Sequence, residues 1–301
     1  MNAKKTKKIV VLATGGTIAG LASDAARPHH YSAAQVGVAD LLQGQAFEGV
    51  ELLSEQVAQI DSKDMSFAIW QNLLGRVAHW LAHEDVQGVV ITHGTDTLEE
   101  TAYFLQTVLQ PIKPVALTCA MLPANARDSD GPGNLKDALA WVQQPDATGV
   151  AVVCASHVHA GLGIQKSHSH QRNPFTSQVN VVHPAHLAVP SVAKVLVCQQ
   201  WPRVELVFNH VGADGRHVRS LMAHDAPQGW VVAGTGNGTL HHQLEAALLD
   251  AHKQGVFVLR ASRCAQGGVQ SRVADVLPHA GSLTAVQARV ALQLHLMAQS
   301  T

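Results

Sequence analysis

The chain has 301 residues, enough to bury a large core and to form two domains. Its formal net charge of −1 offers no basic field for nucleic acid, and its hydrophobic fraction of 47% is ordinary for a globular protein. No segment reaches the roughly 18 to 20 consecutive apolar residues that a membrane-crossing helix needs.

Lys4, Lys5, Lys7 and Lys8 read as a short solvated tail. The apolar run 9–13 reads as a strand. Gly15 and Gly16 then let the backbone turn sharply, which also interrupts any secretory signal, so a cytoplasmic protein is expected. Thr17 lies just past that turn. A weaker strand pattern covers 51–60. Trp70, Leu73, Leu74, Val77, Trp80 and Leu81 recur at intervals of three and four, the stripe of a core-facing helix.

The run 88–92 predicts a second buried strand, and 98–109 an amphipathic helix. Thr97 and Glu100 have the spacing of a capping box, which predicts a helix start at about Thr97. Thr95 and Asp96 therefore stand where a strand ends and a helix begins. In open α/β sheets that edge is where ligands bind. Strand patterns follow at 114–118 and 149–154, with a helix over 134–143.

From 177 to 202 the regular pattern fades, punctuated by Pro184, Pro190 and Pro202. Strands are then predicted at 204–209, 230–233 and 256–260, and helices near 218–224, 241–254 and 284–298. This alternation predicts an α/β fold. A mostly parallel, doubly wound sheet forms a large N-terminal catalytic domain, 1–178. A linker, 179–202, leads to a smaller α/β domain, 203–301.

The 19 histidines include small clusters: His29 with His30, His157 with His159, His168 with His170, and His241 with His242. No HExxH is present and no carboxylate recurs beside them at ligand spacing. They are read as surface or loop residues, and no metal is expected. Cys119 and Cys154 fall in apolar strand-like runs that suit buried free thiols, and no CxxC pair points to zinc.

Thr14-Gly-Gly-Thr17-Ile-Ala-Gly20 and His93-Gly-Thr95-Asp96-Thr97 resemble the two signature motifs of the bacterial-type L-asparaginase/glutaminase family. The resemblance continues, in order, through Asp61-Ser62-Lys63-Asp64-Met65, Ala120-Met121-Leu122-Pro123, Asp130-Gly131-Pro132 and Gly234-Thr235-Gly236-Asn237-Gly238. It implies an amidohydrolase that converts asparagine to aspartate and ammonia, with possible glutaminase activity and no cofactor. It also implies a homodimer or homotetramer with active sites at the dimer interface. On the same ground Thr17 is the nucleophile, with Tyr31 nearby. Thr95, Asp96 and Lys166 transfer protons and activate water. Ser62 binds the substrate α-carboxylate and Asp96 the α-ammonium. The Ala120 N–H, with Thr95, faces the oxyanion. A lysine set against a carboxylate and a threonine can polarise the hydroxyl, and burial can bring its pKa within reach of proton transfer.

The chain departs from the family pattern in three places. Lys63 replaces a glutamine, Asp61 stands where relatives commonly have glycine, and Asp275 is the sole carboxylate after Arg263, where relatives place a glutamate from the neighbouring subunit. At the first two, either Lys63 turns away to Asp61, Asp64 or solvent, or the site favours substrates that lack an α-ammonium; the expectation is weak asparagine affinity, with Asp61 offsetting Lys63 and joining Asp96 in holding the ammonium. Three other functions compete. One is an amidase feeding ammonia onward within a larger complex. Another is a catalytically weak amide sensor. The last is a nucleotide-binding module, although Gly15-Gly16 with Gly20 fits neither GxGxxG nor GxxxxGK[ST].

Overall fold

The computed structural model describes residues 6–24, 30–45, 49–273 and 275–300. Lys4, Lys5 and His29 lie outside the described residues. The chain divides into two compact units, the first ending at Ser177 and the second starting at Gln178.

The first unit contains β1 (Lys7–Gly15), β2 (Leu21–Ala22), β3 (Tyr31–Ser32), α1 (Val38–Leu41), β4 (Val50–Ile60), α2 (Phe67–Leu81), β5 (Val86–Thr92), α3 (Leu98–Leu109), β6 (Val115–Thr118), α4 (Gly131–Trp141), β7 (Val150–Cys154), β8 (His157–Ala160), β9 (Ile164–Lys166) and β10 (Phe175–Ser177). Its main sheet has the order β4-β1-β5-β6-β7-β8. The first five strands run parallel and β8 is antiparallel. After β4 the chain crosses to the far side of β1 before forming β5, so the strand order reverses at β1. Such a reversal leaves a crevice at the carboxyl ends of the strands.

Burial explains which elements the sequence announced. β1, β5, β6 and β7 are almost wholly buried and read as continuous apolar runs. β4 is an edge strand with only partly buried and exposed positions, so Glu51, Glu55, Gln56 and Gln59 dilute its pattern. The hairpin into β8 gave no sequence signal. Ala155 and Ser156 both have positive φ, 51° and 60°, as a two-residue I′ turn requires, yet neither is the usual Asn or Gly.

On α2 the buried stripe is Trp70, Leu73, Leu74 and Val77, each contributing about 1.5–3 kcal/mol by burial. The remaining two predicted positions, Trp80 and Leu81, are only partly buried. Trp80 donates its indole N–H to Glu55, 3.1 Å away. Trp70 stacks on Phe104 of α3 with ring centroids 4.8 Å apart. The helix starts at Thr97 as expected, but its capping needs a correction. Thr97 is the N-cap, but its side chain makes no capping bond, and the expected box with Glu100 does not form. Its hydroxyl donates instead to the Ser62 carbonyl at 2.8 Å.

The second unit contains α5 (Val192–Val197), β11 (Val204–Phe208), α6 (Arg216–His224), β12 (Gly229–Gly234), α7 (His242–Lys253), β13 (Phe257–Ser262) and α8 (Ala285–Gln299). Its three strands form a parallel sheet, β11-β12-β13. The expected linker stretch therefore carries a short helix, α5, and clusters with this unit. Trp230, Val232 and Val258 pack with Val218 of α6 and Leu244, Leu248 of α7. Thr284 and Gln287 close a capping box at the start of α8. Asp275 pairs with Arg260 at 2.6 Å, with both side chains largely buried. Among the described residues, no helix is long and apolar enough to cross a membrane.

Candidate active site

Four adjacent parallel strands of the first unit deliver most of the site, and only Met121 and Leu122 among the residues they bring were not predicted. Thr17 follows β1, Asp61 and Ser62 follow β4, Thr95 and Asp96 follow β5, and Met121 and Leu122 follow β6. The turns meet at very short range. Gly16 has φ 80° and ψ −172°, a region populated essentially by glycine alone. The next loop presses directly on it: a Cβ at Gly16 would lie 2.4 Å from Gly94 Cα, and one at Gly94 2.4 Å from Ser62 Oγ.

Together Thr17, Tyr31, Asp61, Ser62, Thr95, Asp96, Met121, Leu122, Lys166, Ser169 and His170 line a cavity of about 200 Å3. That is smaller than the roughly 300–1,000 Å3 pockets that take drug-sized ligands. Thr17 is buried, and its hydroxyl shares a 2.8 Å hydrogen bond with the Tyr31 hydroxyl. Tyr31 is partly open to solvent on the two-stranded ribbon β2–β3. Thr95 is also buried. Lys166 Nζ donates to Thr95 Oγ1 at 2.8 Å and to Asp96 Oδ1 at 2.5 Å.

Ser62 is tied to the same turn. Its Oγ accepts the Asp96 N–H at 3.1 Å, which leaves its own proton to donate to a ligand. His93 braces the loop from below. Its Nδ1 bonds the Gly94 carbonyl at 2.7 Å and its Nε2 bonds Thr101 Oγ1 at 3.0 Å. Complete burial pushes the His93 pKa down to about 4, so the ring is neutral near pH 7. Asp130 fixes the loop after β6 by accepting the N–H groups of Met121 and Leu122, both at 2.9 Å.

Two predicted residues stand apart from the cavity. Lys63 is exposed, and its ammonium bonds Asp61 at 3.1 Å and Asp64 at 3.0 Å. Those carboxylates hold it outside the lining and raise its pKa. Ala120 is fully buried and packs with Ile18 and Ala19, so the wall there is formed by Met121 and Leu122 instead.

Sequence reasoning also missed residues. Ser169 and His170 reach the lining from the loop between β9 and β10. The sole hint was the His168–His170 cluster directly after Lys166. In that loop His168 Nδ1 accepts the N–H groups of His170 and Gln171 at 3.0 and 2.9 Å. Glu99 carried no functional signal of its own, and Asp130 stood in the family-like Asp130-Gly131-Pro132 run with no role assigned to it. Among the described residues, no group of three or more His, Cys, Asp or Glu has an arrangement that could hold a metal ion.

Comparisons with known proteins agree across both units. Residues 8–190 match the model described as Asparaginase, N-terminal, and residues 203–301 the Glutaminase/Asparaginase C-terminal domain. A glutaminase-asparaginase of Pseudomonas fluorescens biotype A is 34% identical, over 90% of this chain and 79% of the relative. L-asparaginase 2 of Escherichia coli is 34% identical, over 96% of this chain and 88% of the relative. The crystal structure of a probable cytoplasmic L-asparaginase from Campylobacter jejuni superposes with a TM-score of 0.88 at 33% identity, covering 98% of this chain and 96% of that one. With its paired threonine turns at adjacent strand ends and both family domains matched, this chain belongs to the asparaginase family.

Proposed function

We propose that this chain hydrolyses L-asparagine to L-aspartate and ammonia through a threonine nucleophile, with glutamine as a secondary substrate. The observation that carries the reading is two buried hydroxyls in one small cavity, each bonded to a proton-handling partner. Thr17 has Tyr31 at 2.8 Å and Thr95 has Lys166 at 2.8 Å. A threonine hydroxyl is a weak nucleophile until its proton has somewhere to go.

In this reading Thr17 Oγ1 attacks the side-chain amide carbon, and the carbonyl electron pair moves onto oxygen. The Thr17 proton passes through Tyr31 to the amide nitrogen. The C–N bond breaks, ammonia leaves, and an ester to Thr17 remains. Thr95, with Lys166 and Asp96, then takes a proton from water as the water attacks that ester. The proton returns to Thr17 Oγ1 as aspartate is released. The Ser62 hydroxyl donates to the α-carboxylate, and Asp96 with Asp61 receives the α-ammonium. No step calls for a cofactor. A homodimer with sites at its interface, or a tetramer of two such dimers, belongs to the same proposal, as does cytoplasmic residence.

The test is ammonia release from L-asparagine, L-glutamine, their D-forms and simple amides. Wild type is compared with Thr17→Ala, folding being verified by circular dichroism. Turnover is expected with asparagine and lost in the variant. Near-normal turnover in Thr17→Ala would remove Thr17 as nucleophile. Asparagine binding without ammonia release would favour a sensor. Sedimentation and cell fractionation check the assembly and the compartment.

A further inference from the structure

Lys166 reaches the cavity on a slender support. It is the last residue of β9, a three-residue strand whose ladder is with β10 alone, in a two-stranded sheet separate from the main one. Thr95 and Asp96 stand on a different support, at the head of α3.

One side chain joins the two. Glu99 lies in the first turn of α3, three residues after Asp96, and its Oε2 accepts the backbone N–H of Lys166 at 3.3 Å. The same helix start thus supplies the groups that Lys166 Nζ bonds and the carboxylate that anchors its backbone. Resting on the proton-relay role proposed for Lys166, we propose that Glu99 is a positioning residue for that relay. Its ionised carboxylate secures the β9 edge so that the Lys166 ammonium stays between Thr95 and Asp96.

The surroundings make this anchor sensitive to pH. Burial pushes the Glu99 pKa up to about 7, and the charge of Glu100 on its own helix adds to the rise. The Lys166 N–H, and the Lys166 charge from β9, act in the opposite direction. A carboxylate accepts a hydrogen bond more strongly than a neutral carboxyl does. The anchor therefore tightens as pH rises through about 7. In the proposed chemistry Glu99 touches neither substrate nor reacting atoms.

The experiment measures kcat and KM for asparagine between pH 5.5 and 9 in wild type, Glu99→Gln, Glu99→Ala and Lys166→Met. Glu99→Ala is expected to lower kcat at the upper end about 10–100-fold, with KM little changed, as misplacement of a catalytic group does. Glu99→Gln keeps a neutral acceptor. It is expected to recover part of that loss and to lack the rise through pH 7 that the proposal predicts for wild type. Hydrogen exchange at the Lys166 amide should accelerate in Glu99→Ala. That readout also stands if the variant is partly destabilised, because Glu99→Gln can be read at the same amide. Wild-type kcat in Glu99→Ala, equal loss in the Gln and Ala variants, or an unchanged rise through pH 7 in Glu99→Gln would each overturn the proposal. Lys166→Met separates the two readings. Full turnover there defeats the relay itself, whereas an inactive Lys166→Met beside a fully active Glu99→Ala defeats the role of Glu99 alone.

Discussion

Gly16 and Gly94 meet backbone to backbone, so closely that a Cβ on Gly16 would stand 2.4 Å from both the Cα and the N of Gly94. This contact brings the turn carrying Thr17 against the turn carrying Thr95. Close behind it, a Cβ on Gly94 would meet Ser62 Oγ at 2.4 Å and Ser62 Cβ at 2.7 Å. Gly94→Ala is therefore expected to displace Ser62 and Thr95 together, at a cost of about 1–3 kcal/mol from overpacking. Denaturant melts and asparagine turnover should both fall. A variant with unchanged kcat/KM would show that the three turns have more freedom than this contact allows.

Lys166→Met should keep most substrate binding and lose turnover. Lys166 bonds both Thr95 and Asp96, and loss of a proton-transfer partner costs a factor of about 10²–10⁴. Steady-state kinetics decide the matter. A large rise in KM with kcat intact would make Lys166 a binding residue.

Asp61 is shared between Lys63 and the cavity. It accepts the Lys63 ammonium at 3.1 Å and also lines the site. Lys63→Gln should free that carboxylate for the substrate ammonium and lower KM for asparagine, while Asp61→Ala should raise it. Comparing asparagine with succinamic acid, which lacks the ammonium, isolates the effect. Unchanged KM for asparagine in both variants would mean that neither residue senses the ammonium.

Acid should destabilise the protein through its buried imidazoles. The His93 pKa is pushed down to about 4 by burial, against about 6.5 in an unfolded chain. Above pH 6.5 the ring is neutral in both states and contributes no pH dependence. As pH falls from 6.5 toward 4, only the unfolded chain gains the proton, and stability drops by up to about 3 kcal/mol. Burial lowers the partly buried His183 and the buried His295 as well, so they add in the same direction. Urea melts at steps from pH 7.5 to 4.5 should show this decline. A His93→Gln variant should show a shallower slope, and an identical slope would clear His93 of the effect.

The sequence alone determined where the site's turns begin. Apolar runs closed by Gly15-Gly16 and by His93-Gly94 are local signals, because a buried parallel strand must be apolar and a sharp exit needs glycine. The longer helices of both units were legible for the same reason, since their stripes follow a fixed period, whereas the short α1 and α5 were not. Tertiary structure decided the rest. That β4, β1, β5 and β6 lie side by side depends on pairing between residues far apart in the chain, which no local period encodes. The Thr97 hydroxyl left its expected cap because the Ser62 carbonyl, 35 positions away, offered a partner. Lys63 turned outward because Asp61 and Asp64 face it on the same short turn. Glu99 is one acidic residue among others in a helix start until the fold lays the Lys166 backbone across it. Element type is set by neighbours in sequence, whereas the partner a polar side chain finds is set by whichever unsatisfied group the packed chain brings within reach.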